Sequence, residues 1–125
     1  MTGSTTIARS LASATLEGFA QFTAEADGVD VRGLAPLTSL LVRTKNSVYQ
    51  ITVTERTAVI VQGGQFFPDP TPAEVSGATM GGSFLKLGWI GVGLCMEIRA
   101  GDQPVITTRV RSITVNQTHR ESRLH

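Results

Sequence analysis

The chain has 125 residues, 41% of them hydrophobic, and its 11 Lys and Arg against 10 Asp and Glu leave a net charge of +1 at pH 7. That length supports one domain with a core of its own, and the near-neutral balance argues against blanket attraction to nucleic acid or anionic lipid. One cysteine, and two histidines confined to the C-terminal tail, exclude a disulfide framework and a multi-cysteine metal site within the chain.

In the first twenty residues Arg9, Ser10, Ser13 and Glu17 interrupt the apolar positions, so neither a secretory signal nor a membrane-spanning helix is expected, and the expected location is cytoplasmic. Ile7, Leu11, Ala14, Gly18 and Phe22 have the spacing of one helical face over Thr5 to Ala24. Gly18 and the Ser and Thr residues weaken that helix, which leaves a flexible arm as the alternative. Glu25 to Pro36 mixes Asp, Gly and Pro and reads as a linker.

Strand patterns begin at Thr38. Leu40 to Thr44 and Val48 to Thr54 predict a hairpin around Lys45-Asn46-Ser47, with Tyr49, Ile51 and Val53 on one face. Ala58 to Gln62 predicts a third strand, ended by Gly63-Gly64. The three prolines of Pro68-Asp69-Pro70-Thr71-Pro72 forbid a central strand and favour an extended, edge-like connection. A short strand is expected within Ala73 to Met80.

Gly81 to Glu97, GGSFLKLGWIGVGLCME, holds the only Trp and the only Cys together with Gly81, Gly82, Gly88, Gly91 and Gly93. Alternation from Trp89 sets Trp89, Gly91, Gly93, Cys95 and Glu97 against Ile90, Val92, Leu94, Met96 and Ile98. The segment is expected to be one coiled central strand, its glycines curling the sheet or admitting a facing side chain. Gly101 turns the chain into a last strand, Val105 to Val115. There Ile106, Thr108 and Val110 share one parity and Ile113 and Val115 the other, which predicts a bulge or bend near Arg111 and Ser112. The fold class is therefore mainly β: a small antiparallel β-barrel or strongly bent sheet of about six strands, with an N-terminal helix or flexible arm. The domain organisation is an arm over 1–36, a barrel over 37–115 and a tail over 116–125.

Chemistry is sparse. His119 and His125 in the tail cannot be held against a nucleophile, so neither Ser-His-Asp nor Cys-His catalysis is expected, and no catalytic residue, metal or cofactor is assigned. Cys95 reads as a small buried hydrophobe, and Glu97 as solvent-facing or paired with Arg109 or Arg111. Gly77 to Ser83 has phosphate-loop glycine spacing without the Lys before the Ser, so Ser83 and Lys86 are only candidate anion contacts. Cyclic-dinucleotide-binding barrels of the PilZ type carry RxxxR and then D/N-x-S-x-x-G. Here Glu74-Val75-Ser76-Gly77-Ala78-Thr79 departs at both ends of the second element, and no RxxxR precedes it.

The functional expectation is a non-catalytic module acting through protein contacts or self-assembly as a homo-oligomer, with Phe66, Phe67, Trp89, Arg109 and Arg111 as the candidate interaction surface. A nucleic-acid-binding regulator and a small-ligand or nucleotide binder are the alternatives, and no membrane partner is expected. Nine Arg against two Lys suits a GC-rich bacterial genome.

Overall fold

A computed structural model describes residues 16–18, 20, 27–80 and 84–116. Leu16, Glu17, Gly18 and Ala20 are helical, and the rest of the expected N-terminal helix lies outside the described residues. Next come β1 (Gly28–Asp30) and a 3-10 turn (Val31–Gly33), then β2 (Ser39–Thr44), β3 (Val48–Glu55), β4 (Ala58–Gly63) and β5 (Phe67–Thr79). The chain continues with β6 (Leu85–Leu87), β7 (Trp89–Gly91), β8 (Cys95–Ala100) and β9 (Gln103–Asn116).

Seven strands form one antiparallel sheet in the order β4-β3-β2-β9-β8-β5-β6, and pairing of β4 with β5 closes it into a barrel-like ring. Each of the six strands in the closed circuit pairs with the next in the chain, save for the excursion through β6 and β7 and the final seam between β2 and β9. Alternation puts one face of every strand inward. Leu40, Val42, Tyr49, Ile51, Val53, Val59, Val61, Val75, Met96, Ile98 and Val110 make a single buried cluster. Burial of such side chains is worth about 1.5–3 kcal/mol each relative to leaving them in water, so this cluster dominates stability.

The first three ring strands follow the predicted pattern. Thr44 holds the β2–β3 turn twice over: its N–H donates to the Ser47 carbonyl (2.8 Å), and its hydroxyl accepts from the Ser47 N–H (3.1 Å). Beyond them, β5 and β9 are long because each serves two partners. β5 pairs with β4 through Glu74 and with β8 from Glu74 onward. β9 pairs with β8 through Arg109 and with β2 from Val110 onward. Bulges mark the changeovers, with Ser76 unpaired in β5 and Arg111 unpaired in β9. The second is the bend expected near Arg111 and Ser112. A further bulge at Thr107 and Thr108 was not legible, and it reverses the expected parity of β9's first half: Thr107 is buried while Ile106 faces out. The Thr107 hydroxyl fills this bulge, accepting from the Met96 N–H (3.0 Å) and donating to the Thr108 carbonyl (2.7 Å).

Two expectations need correction. The stretch read as a linker contains β1, which pairs with β7 as a second, two-stranded sheet, and Val31 after it lies in the core. The glycine-rich segment is not one strand. Gly88 (φ 67°) and Gly93 (φ 90°) adopt left-handed backbone and break it into β6, β7 and β8. Its predicted alternation survives the breaks in part: Ile90, Leu94, Met96 and Ile98 are fully buried, whereas Trp89, Cys95 and Glu97 are only half-buried.

Candidate functional site

Trp89 anchors the β1–β7 ladder. On its face of that ladder the register sets Asp30 opposite Trp89 and Gly28 opposite Gly91. A β-carbon on Gly28 would collide with the six-membered ring of the indole, and one on Gly91 would lie 2.6 Å from Trp89 Nε1. The two facing glycines thus form a slot that the indole fills. Lys86 Nζ closes the slot from above, 4.1 Å from the ring centroid, a cation–π contact. Asp30 and Arg32 join this cluster through a bidentate pair with both distances at 3.0 Å. The Arg32 side-chain hydrogen bond holds the Asp30 carboxyl below its usual value, against the opposing effect of burial.

These contacts give Lys86 a structural partner on Trp89. Gly77 to Thr79 belongs to β5, so that part of the supposed phosphate loop is a strand. Ser83, Gly81 and Gly82 lie outside the described residues, as do His119 and His125. Phe66 is 61% exposed at the β4–β5 turn. Phe67 is corrected from the candidate surface to the core: β5 begins at Phe67 with its side chain inward, 2% exposed. Tyr49 is buried as well, on the face it was expected to share with Ile51 and Val53.

The register assembles one outer face that sequence reading did not find. Across β9, β8, β5 and β6, Ile106 lies opposite Glu97, Glu97 opposite Gly77, and Gly77 opposite Leu87. Next to that row stand Arg109, Cys95, Thr79 and Leu85. Paired residues project from the same side of a sheet, so Leu85, Leu87 and Ile106 share a surface, exposed by 37%, 63% and 46%. The bulge at Thr107 and Thr108 is what brings Ile106 out. It also sets Glu97 against Ile106, and Arg109 turns instead to the Gly93 carbonyl, its Nη1 donating at 2.8 Å. The expected pairing of Glu97 with Arg109 or Arg111 is not formed; among the described residues the ion pair is Asp30 with Arg32.

Beside this face, where β8 starts, a cleft of about 810 Å³ is lined by residues that include Lys45, Arg109, Arg111 and Cys95. Burial pushes the Cys95 thiol up, and the Arg109 charge offsets this only in part. The thiol is therefore protonated at neutral pH and is a poor nucleophile. Among the described residues no three His, Cys, Asp or Glu side chains are grouped to hold a metal ion, and no helix is long and apolar enough to cross a membrane. Compared with known proteins, the chain matches no family model, no curated protein and no solved structure.

Proposed function

We propose that this chain is a non-catalytic barrel-like module that works through protein contacts, and that its first partner is a second copy of itself. The observation that supports this reading is the shared outer face of Leu85, Leu87 and Ile106 beside an edge of β6 that no strand among the described residues pairs with. Leu85 and Leu87 adjoin on this face and Ile106 lies beyond Glu97 and Gly77, and burying these aliphatic side chains against a partner would recover the free energy that their exposure to water costs. Among the described residues β6 is the last strand of its sheet, so its outer edge also offers backbone groups for strand addition. An antiparallel pair of β6 strands about a twofold axis at Lys86 would set Leu85 of one copy against Leu87 of the other and continue the apolar face across both. The positive charge of Lys86 is drawn back over Trp89, away from that edge's leucine face.

Light scattering on the purified chain at micromolar concentration tests the proposal. The expected result is an oligomer that Leu87→Asp converts to a monomer of unchanged melting temperature. A wild-type chain that stays monomeric would overturn it.

A further inference from the structure

The cleft beside the outer face has the makings of a ligand site. Bulges at Thr107–Thr108 and at Arg111 bracket Arg109 and Val110 and bend this part of β9. Its volume of about 810 Å³ lies within the range of small-molecule sites, roughly 300–1,000 Å³. The walls combine three cations, Lys45, Arg109 and Arg111, with an apolar floor of Val92 and Cys95, and among the described residues no carboxylate lines it. Asp27 shares the adjoining cleft with Arg111, but it makes no ion pair there. Among the described residues neither Lys45 nor Arg111 has an acidic partner within bonding distance.

The frame is fixed before any ligand arrives. The Lys45 N–H donates to the Arg109 carbonyl (3.2 Å), which ties the β2–β3 turn to β9. The Gly93 N–H donates to the Val110 carbonyl and the Val110 N–H to the Leu94 carbonyl, both at 2.8 Å, so the β7–β8 turn is tied to the same strand. Arg109 Nη1 adds its bond to the Gly93 carbonyl. Lys45 and Arg111 project from this tied backbone beside Arg109, so three positive charges gather at one cleft and would attract a polyanion.

We infer that this cleft binds a phosphorylated small molecule, its phosphoryl oxygens held by Lys45 and Arg111 and its organic part lying on Val92 and Cys95. A guanidinium fork matches two phosphoryl oxygens and an ammonium adds a point charge, whereas an inorganic anion alone would leave the apolar floor uncovered. A polynucleotide is the poorer fit, because among the described residues no aromatic side chain lines the cleft to stack a base.

Titration calorimetry of the full chain with ADP, inorganic pyrophosphate and adenosine provides the test. Both phosphorylated compounds bind, ADP the tighter, and adenosine binds at least about tenfold more weakly, as loss of a charge-assisted contact implies. The double variant Lys45→Gln/Arg111→Gln loses about tenfold or more in ADP affinity by the same arithmetic, with its ligand-free melting temperature unchanged. If that variant melts lower, Lys45→Gln alone, in an exposed turn, must still weaken ADP. Arg56→Asn, at the far end of β3, removes one charge elsewhere and leaves affinity intact. The inference fails if neither phosphorylated compound binds at millimolar concentration, if adenosine matches ADP, or if Arg56→Asn weakens binding as much as the cleft variants. It also fails if a single-stranded oligonucleotide displaces ADP at far lower concentration with a steep salt dependence, which would assign the cations to a polynucleotide backbone.

Discussion

Gly91 illustrates how a residue with no side chain can carry a structural role. Its β-carbon position is occupied by the indole of Trp89, two residues earlier on the same strand, and Leu94 Cδ1 stands 3.2 Å away on another side. Any larger residue must push the indole out of its slot, because Gly28 blocks retreat toward β1. Gly91→Val is therefore expected to destabilise the protein by about 1–3 kcal/mol, the usual cost of overpacking a closed site. Thermal unfolding gives the magnitude, and tryptophan emission reports whether the indole has moved into water. Sequence reading expected Gly91 to curl the sheet or admit the side chain of a facing element, whereas the side chain that fills the space is Trp89 of the same strand, in a slot that exists only once β1 pairs with β7. Cys95 supports a second prediction at this scale. Burial raises its pKa and the nearby Arg109 lowers it by a smaller amount, so Arg109→Gln should move the thiol titration further up. Alkylation rate against pH checks this: the variant curve is displaced to higher pH, and a displacement to lower pH would contradict the assigned balance.

Among the elements, β5 shows why three prolines can occupy one strand of a closed ring. The Val75 N–H donates toward the β4 side, to the Thr57 carbonyl at 2.9 Å. Backbone groups alternate in direction along a strand, so the nitrogens of Pro72 and Pro70 point the opposite way. On that side β8 pairs only from Glu74 onward, and among the described residues no strand continues past it. The prolines thus remove donors from a free edge without costing the ring any hydrogen bond, a protection against unwanted strand addition. Pro70→Thr/Pro72→Thr restores two donors there. The variant is expected to fold and to aggregate faster on gentle heating, measured as turbidity against the wild type. The edge-like character of this stretch was legible from proline chemistry alone, whereas its membership of a 13-residue strand was not. Likewise the phase change at Arg111 could be read because apolar residues flank it on both sides. The bulge at Thr107 escaped notice because a buried threonine looks no different in sequence from an exposed one.

For the molecule as a whole, closure depends on one long-range seam. The hairpins and the β8–β9 turn join strands that are close in sequence, and their patterns were readable from alternation and turn residues. The β2–β9 pairing joins Ser39 to Asn116 and Val42 to Ile113, which no local pattern announces. Ile113 packs against the core from this seam and touches no other ring strand by pairing. Ile113→Ala should therefore cost about 2 kcal/mol or more, the lower part of the range for such truncations, since the side chain is only half-buried. Chemical denaturation measures it, and a loss near zero would mean that the seam contributes little to the ring.

That seam also sets an order of events in time. Bringing Ser39 to Asn116 means closing a loop of nearly the whole strand-bearing chain, whereas the β2–β3 and β8–β9 turns close over a few residues. Local hairpins therefore precede the seam, and the ring shuts late on the folding route. In stopped-flow measurements Ile113→Ala should leave the refolding rate nearly unchanged and accelerate unfolding, while Val53→Ala in the early meander slows refolding. A barrel-like ring whose last strand locks its first is released by opening that same seam, so the lifetime of the native ring is governed at β2 and β9.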